Sequence, residues 1–246
     1  MNTLLWILAA TILNGLVAFV GALTFWMNDK LLKKSIFYLV AFSAGTLLAG
    51  ALLHLLPESL EYVSINTAAA FILVGFAVFY LIERLLHWHH CHDGHCTHHP
   101  MSYLVLIGDG IHNIIDGLVI AASFVISVPF GIVTTLLIIA HEIPQELGNF
   151  GILIHGGFSR NKALLYNFLA QLTCVIGGIL GFYLSGANQF EAVLLPIAAG
   201  GFIYIAASDL IPELHKETDV KKSFAYFGMF LLGVAVIVLL KLFIGH

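Results

Sequence analysis

Eight separate stretches of this chain are apolar over roughly twenty residues each, the length at which an α-helix crosses a bilayer. Of the 246 residues, 60% are apolar and only 10% are charged, whereas a soluble domain carries about a quarter charged residues. A soluble globular fold is therefore excluded. We expect an all-α integral membrane protein in which residues 1–246 form a single transmembrane domain. The stretches, numbered helix 1 to helix 8, are approximately residues 4–26, 36–56, 66–86, 102–126, 130–154, 163–186, 190–212 and 224–244.

The positions of Lys and Arg predict the orientation of these helices. Nine of the ten basic residues follow helices 1, 3, 5 and 7, and only Lys241 lies near the opposite ends. Because basic loops stay in the cytoplasm, we expect a multi-pass protein of the cell membrane with those four loops cytoplasmic and both termini extracytoplasmic. The net charge of -4 provides no basic surplus for a phosphate backbone, so nucleic acid is not an expected partner.

Helices 4 and 5 carry acidic residues at depths where the bilayer penalises charge. Four of them lie inside these helices, and each charge at mid-membrane costs roughly 2.5 to 3.5 kcal/mol. The chain has no Lys or Arg between Arg84 and Arg160, so ion pairing within this region is excluded. Protons, a bound cation or partial hydration must therefore neutralise Asp109, Asp116, Glu142 and Glu146.

The polar residues of the two helices have matching spacing. His112 and Asp116 are four residues apart on helix 4, as His141 and Gln145 are on helix 5, and residues four apart share a helix face. Nitrogen and oxygen donors without a thiolate suit zinc and, less selectively, iron, manganese or cadmium. We therefore predict a mid-membrane metal site formed by His112, Asn113, Asp116, His141, Glu142, Gln145 and Glu146.

These motifs resemble the signature helices of one family. GDGIHNIIDG at residues 108–117, followed by HEIPQELGNF at 141–150, is similar to helices 4 and 5 of the ZIP (Zrt/Irt-like) divalent-metal transporters. The closest likeness is to the branch with His-Asn-Xaa-Xaa-Asp-Gly in helix 4. Residues 44–58 and 195–214 resemble helices 2 and 7 of that branch, so the resemblance covers nearly the whole chain.

The resemblance implies an inverted-repeat bundle of three, two and three helices that moves zinc into the cytoplasm by alternating access. It implies a two-metal site, with His112, Asp116, His141 and Gln145 in the first position. Asn113 and Glu142 would lead the second position. Zinc would be the transported ion, with iron, manganese or cadmium as other substrates and no organic cofactor. A homodimer is one assembly compatible with small-residue helix faces such as residues 177–181.

Three positions depart from the pattern of that branch. Gln145 stands where the branch has His, Asn149 where it has Asp, and Gly50 where helix 2 often has Asp. All three changes remove charge or basicity from the expected metal pathway.

A motif that occurs in both helix 2 and helix 7 favours an inverted repeat independently of the resemblance. His-x-x-Pro-Glu at residues 54–58 of helix 2 matches Asp-x-x-Pro-Glu at 209–213 of helix 7, and inverted repeats with a midplane site are typical of transporters. The Pro-Glu pairs alone are explained equally well as interfacial helix ends. We predict that further polar residues line a pathway or gate: His54, Asp109, Asn149, Gln171 and Asp209.

The segment between helices 3 and 4, at about residues 87–99, is rich in metal-binding side chains. Its spacing is not that of a zinc finger, so weak binding of several ions in the cytoplasm is one hypothesis and a solvated loop is the other. The predicted contacts are His87, His89, His90, Cys91, His92, His95, Cys96, His98 and His99.

Two other functional classes use similar residues. An intramembrane metalloenzyme is suggested by His141-Glu142, but the HExxH motif needs a second His where this chain has Gln145. A membrane metal sensor or binding protein would use the same ligands without transport, so the ligands alone do not distinguish it from a carrier.

Overall fold

The chain is almost entirely helical in the ranges that the computed structural model describes, which are residues 2–25, 29–88, 98–155, 157–185 and 190–244. Eight helices in these ranges are long and apolar enough to cross a membrane, which confirms the predicted all-α fold. Helices 2 and 4 begin before their apolar runs, because polar residues continue a helix outside the hydrocarbon. The bounds are Thr3–Gly15 with 3₁₀ turns over Leu16–Phe25 (helix 1), Asp29–Ala49, Gly50–Leu55 and Leu56–Ser59 (helix 2), Ile65–Trp88 (helix 3), His98–Ile126 (helix 4), Val128–His155 (helix 5), Arg160–Gln171 and Thr173–Leu184 (helix 6), Phe190–Tyr204, Ile205–Leu210 and Ile211–Leu214 (helix 7), and Val220–Ile244 (helix 8).

The eight helices pack in two groups of four. Helices 1, 4, 5 and 6 all contact one another, and in the other group helix 2 packs on helices 7 and 8 while helix 3 packs on helix 7. The groups meet where helix 5 contacts helices 2 and 8 and where helix 4 contacts helices 3 and 7. In an inverted repeat, helices 1, 2 and 3 correspond to helices 6, 7 and 8, and helix 4 corresponds to helix 5. The contact between helices 2 and 8 then corresponds to the contact between helices 7 and 3, and both contacts are present. The packing therefore has the symmetry of the expected inverted repeat.

Glycines permit close backbone approach at three helix crossings. A Cβ atom on Gly117 of helix 4 would lie 2.0 Å from the carbonyl oxygen of Cys174, and one on Gly177 of helix 6 would lie 2.1 Å from that of Ile114. Only a residue without a side chain fits there, as is typical of tightly packed membrane helices. Reciprocal contacts of the same kind join helices 2 and 8 at Gly45 and Gly233, and helices 3 and 7 at Gly75 and Gly200.

The glycine face of helix 6 is used within the chain. Besides Gly177, Gly178 faces Thr11 and Ile7 of helix 1, and Gly181 faces Ala121 of helix 4. Because this face is already covered, it does not supply the surface for the predicted homodimer.

Helices 2 and 7 each contain one π-helical segment, at Gly50–Leu55 and Ile205–Leu210. His54 and Asp209 are the fifth residues of these segments, and each segment is followed two residues later by a proline. A proline cannot donate a backbone hydrogen bond, and a widened turn accommodates the loss. The motif that helices 2 and 7 share therefore has the same local backbone geometry in both helices.

Candidate metal centre

Four side chains from helices 4 and 5 converge in the interior of the bundle. His112 and Asp116 face His141 and Glu142, and one ligand atom from each lies within 4.8 Å of the others. Asp116, His141 and Glu142 are at most 2% exposed. We call these four residues the first cluster. The predicted face-sharing of residues four apart therefore brings the helix 4 pair together as expected.

Five of the six ligand-atom distances within the first cluster are close to those of a tetrahedral zinc shell. The His112 Nε2 atom lies 3.1 Å from His141 Nε2, 3.4 Å from Glu142 Oε1 and 3.6 Å from Asp116 Oδ2. His141 Nε2 lies 3.5 Å from Asp116 Oδ2 and 3.6 Å from Glu142 Oε1. Zinc bonds of about 2.0 to 2.2 Å place tetrahedral ligands about 3.3 to 3.6 Å apart. One central ion could therefore contact all four atoms with small adjustments.

A second group of acids adjoins the first. Asp109, Glu142 and Glu146 each offer a carboxylate oxygen within 4.8 Å of the other two, and all three are buried. We call them the second cluster. Glu142 belongs to both clusters, so the two candidate positions share one ligand. Asn113 borders this region: its Nδ2 donates to the Asp109 backbone carbonyl, and its buried Oδ1 accepts no hydrogen bond among the described residues.

Several carboxylate oxygens of the two clusters accept no hydrogen bond among the described residues. A buried charge without compensation is costly, and the chain has no Lys or Arg between Arg84 and Arg160. The arrangement offers acceptors and few donors, which is the composition of a cation site. The oxygens concerned are Asp109 Oδ2, both Asp116 oxygens, Glu142 Oε1 and Glu146 Oε2.

Two amides of helix 5 hold Asp109. Gln145 Nε2 donates to Asp109 Oδ1 at 3.0 Å, and Asn149 Nδ2 donates to the same oxygen at 2.8 Å. Gln145, which the resemblance places in the first metal position, therefore contacts an acid of the second cluster instead of converging with the four first-cluster atoms. Its role as a metal ligand stays a prediction.

Gln171 of helix 6 connects the acids of helix 5. Its Nε2 donates to Glu142 Oε2 in a short contact and to Glu146 Oε1 at 3.2 Å. Its carbonyl oxygen accepts from Asn14 Nδ2 of helix 1 at 3.3 Å. The predicted pathway residue Gln171 thus adjoins the second cluster.

A cavity of about 190 Å³ leads away from the clusters. Asp109, His112, Gln145 and Asn149 line one part of it, and Asp209 of helix 7 lines another. Sequence reasoning missed Glu83 and Tyr204, which also line this cavity and are joined by a short hydrogen bond from the tyrosine hydroxyl. The signal for Glu83 was its position as an acid at the polar end of helix 3.

His54 lies apart from the clusters and lines a different cavity, of about 560 Å³. Its Nε2 atom is 2.8 Å from Thr134 Oγ1, and its ring stacks on Phe130. Phe130 precedes His141 on helix 5 by about 16 Å of helical rise, whereas Asn149 follows it by about 12 Å. The two cavities therefore lie toward opposite ends of the bundle, and both are at the boundary between the helix groups.

The mouth of the larger cavity is acidic. Glu58 and Glu61 line it beside Tyr62, and Lys241 supplies one opposing charge. Burial, followed by the nearby carboxylates of Glu58, Glu191 and Glu61, raises the pKa of Tyr62. Two carboxylates against one ammonium leave a net negative charge at this mouth, which attracts cations.

Helix 5 passes through Pro144 without ending. The sequence predicts that proline frees the carbonyl of Ala140, and a wet cavity is the usual setting for such a group in a membrane. Here the Ser43 hydroxyl of helix 2 donates to that carbonyl at 2.6 Å. A side chain of the other helix group therefore satisfies the freed carbonyl directly.

Most of the His-rich segment lies outside the described residues. Helix 3 ends at Trp88 and helix 4 begins at His98, so the backbone of His87, His98 and His99 is helical. Metal contacts of the segment stay a prediction. The predicted contacts outside the described residues are His89, His90, Cys91, His92, His95 and Cys96.

Comparison with known proteins gives consistent matches. A family model described as "ZIP Zinc transporter" matches residues 2–100 and 89–241. Zinc transporter ZIP13 of Pongo abelii is 32% identical over 226 residues, which are 84% of this chain and 67% of that protein. Zinc transporter YKE4 of Saccharomyces cerevisiae is 32% identical over 228 residues, covering 79% of this chain and 66% of that protein. Metal cation symporter ZIP8 of Homo sapiens is 36% identical over 156 residues, covering 59% and 34% respectively. The chain thus spans about two thirds of the first two relatives and about one third of the third.

Proposed function

Because this chain belongs to the ZIP family of zinc transporters, we propose that it carries zinc through the two clusters on helices 4 and 5. The family assignment makes the protein a transporter of divalent metal ions and not an enzyme. The choice of zinc rests on the names of the relatives and on the donor geometry. Iron, manganese and cadmium are alternative substrates because the same nitrogen and oxygen donors accept them.

One observation carries the proposal: the two imidazole nitrogens of His112 and His141 lie 3.1 Å apart, and each lies 3.4 to 3.6 Å from the carboxylate oxygens of Asp116 and Glu142. Two neutral imidazoles and two carboxylates would neutralise one divalent ion. They would also replace the water ligands that a metal ion sheds on entering the bilayer. This geometry supports the first cluster as the main zinc position.

Charge balance supports a second ion. The four buried acids Asp109, Asp116, Glu142 and Glu146 together carry four negative charges when ionised. Two divalent cations would neutralise them, whereas a single cation would leave two charges for protons. Glu142 would bridge the two ions, and Asp109 and Glu146 would complete the second position with the Asn113 amide oxygen nearby.

We propose inward transport by alternating access. Arg84 near the end of helix 3 and Lys216 beyond helix 7 lie at the end of the bundle toward which the cavity lined by Glu83 and Asp209 extends. By the positive-inside rule this end is cytoplasmic. Zinc would enter past His54 from the acidic mouth and leave past Asp209, with one helix group moving against the other.

A metal sensor that binds without transporting is the competing proposal of another class. It predicts zinc binding at the same residues but no zinc flux. The cavities at both ends of the clusters favour a pathway, since a sensor needs access from one side only.

The deciding experiment is zinc uptake into proteoliposomes that contain the purified full chain. The wild type is compared with His141→Ala and with His215→Ala, whose imidazole is exposed beyond helix 7. We expect saturable uptake by the wild type and by His215→Ala, and loss of uptake in His141→Ala. Manganese and iron uptake in parallel would rank the substrates. Tight zinc binding without flux in the wild type would instead support the sensor.

A further inference from the structure

Asn14 is an isolated amide in the apolar run of helix 1, far in sequence from every metal motif. Its side chain is fully buried, as is that of Gln171. Asn14 Nδ2 donates to Gln171 Oε1 at 3.3 Å and lies 3.6 Å from Cys174 Sγ. Among the described residues, both hydrogen-bond partners of the Asn14 amide nitrogen lie on helix 6 and outside the two clusters.

The acids of helix 5 dictate how the Gln171 amide is turned. Its nitrogen lies against Glu142 Oε2 and Glu146 Oε1, and ionised carboxylates only accept hydrogen bonds. The opposite rotamer would place the amide carbonyl against two carboxylates, which is repulsive. Asn14 supports the observed rotamer from the other side, because it donates to the carbonyl oxygen.

The Gln171 NH2 group thus acts on the oxygens that a second cation would need. Glu142 belongs to both clusters and Glu146 to the second. When those oxygens bind a metal ion, they give up or share their hydrogen bonds to the amide. The amide therefore stabilises the empty second cluster and competes with the cation for it.

We propose that Asn14 is a positioning residue that fixes the Gln171 amide across Glu142 and Glu146, so that a neutral donor takes the place of a cation while the second cluster is empty. This inference rests on the proposed transport function. The amide weakens zinc binding and speeds zinc release, and Asn14 acts only through Gln171.

The test measures zinc uptake rates and equilibrium zinc binding for the full chain with Asn14→Leu. Losing one hydrogen bond to a charged network corresponds to about a tenfold change in affinity. We expect the zinc Kd and KM to fall about tenfold and Vmax to fall with them, because the Gln171 NH2 group is no longer held against Glu142 and Glu146 in competition with the ions. Asn14→Asp, which keeps the side-chain volume, should change KM and Vmax in the same direction if Asn14→Leu does not fold.

Two matched variants control for helix 1 packing and for the second contact. Thr11 lies one turn earlier, and in the described ranges its hydroxyl donates only to carbonyls of its own helix, so Thr11→Val should leave KM and Vmax unchanged. Cys174→Ala removes the sulfur contact of Asn14 and should also match the wild type. Gln171→Leu should reproduce the effect of Asn14→Leu, and the double variant should show no further change.

The inference is overturned if Asn14→Leu lowers uptake only in proportion to the amount of folded protein, with KM and Kd unchanged. Additive effects in the double variant would also overturn it, because Asn14 would then act independently of Gln171. Absence of zinc flux in the wild type would count against the transport proposal alone, since the binding measurements would still test the role of Asn14.

Discussion

Glu142 is the residue that links the two clusters. Its Oε1 atom faces the histidines of the first cluster, and its Oε2 atom accepts from Gln171 beside Glu146. A single carboxylate therefore contributes to both candidate metal positions. Loss of its charge should affect both ions, whereas loss of the Glu146 charge should affect only the second.

Glu142→Gln and Glu146→Gln test this division by equilibrium zinc binding. Changing residues that only support metal ligands costs about 10- to 100-fold in affinity, so removing a direct ligand should cost at least about 100-fold. We expect two zinc ions per wild-type chain, one ion per Glu146→Gln chain, and affinity reduced at both positions in Glu142→Gln. A first-position affinity equal to wild type in Glu142→Gln would contradict the shared ligand.

Asn149→Asp probes the amide pair that holds Asp109. The change replaces an N–H donor, 2.8 Å from Asp109 Oδ1, with a second carboxylate of nearly equal volume. Loss of this bond should destabilise the metal-free protein by about 1 to 3 kcal/mol, and zinc should restore more stability than in the wild type. Thermal unfolding with and without zinc measures both effects. An equal zinc-induced rise in Tm for Asn149→Asp and the wild type would argue against the hydrogen bond between Asn149 and Asp109.

The placement of His112 beside Asp116 was predictable from sequence, because residues four apart share a helix face whatever the packing. The direction in which Gln145 turns was not predictable. Helical spacing places an amide on a face, but the choice between Asp109 and the first cluster depends on which donors and acceptors helix 4 presents. The role of Asn14 was hidden for the same reason, although a lone amide in an apolar run is a visible signal.

Among the helices, helix 5 depends on a partner outside its own hydrogen-bond ladder. Ser43→Ala should leave the Ala140 carbonyl unsatisfied and destabilise the protein by about 1 to 3 kcal/mol. Pro144→Ala restores a backbone donor to that carbonyl, so the double variant should be more stable than Ser43→Ala alone. The measurement is thermal unfolding in detergent of the wild type, the two single variants and the double variant, which together form a double-mutant cycle. Additive losses would show that the Ser43 hydroxyl does not serve the carbonyl freed by proline.

The crossing of helices 4 and 6 depends on Gly117. Alanine there would place Cβ 2.0 Å from a backbone oxygen, whereas a Cβ on Gly148 of helix 5 meets no atom within 4 Å. Gly117→Ala should greatly reduce the amount of folded protein on size-exclusion chromatography. Gly148→Ala should match or slightly exceed the wild type because alanine favours helix. Equal yields of the two variants would contradict the close crossing.

The existence and approximate bounds of the eight helices were predictable because the bilayer fixes the length of an apolar run. The break of helix 6 after Gln171 and the π-helical segments were not. Both depend on side-chain hydrogen bonds and on proline geometry inside the packed bundle. Thr173, for example, donates to the carbonyl of Gly110 on helix 4, a contact that requires the folded arrangement.

For the whole molecule, the orientation in the membrane is the feature that converts the cavities into a transport direction. In a variant without the native cysteines, Glu61→Cys should react with a membrane-impermeant maleimide in intact cells. Lys216→Cys should react only after permeabilisation. Both side chains are exposed, so a difference in labelling reports their side of the membrane. The reverse pattern would place the smaller cavity outside and oppose inward transport.

The glycine contacts determine where the molecule is stiff. Among the described residues, backbone contacts below about 3 Å from a glycine Cβ join helices 2 with 8, 3 with 7 and 4 with 6, all within one group or the other. Across the boundary, Gly50 instead meets the flexible side chain of Leu137. The three helix pairs with glycine-to-backbone contacts have no clearance for sliding, whereas the boundary between the two helix groups is compliant. The candidate ligands of both clusters lie on helices 4 and 5 of one group, so their mutual spacing can persist while the helices of the other group move against them.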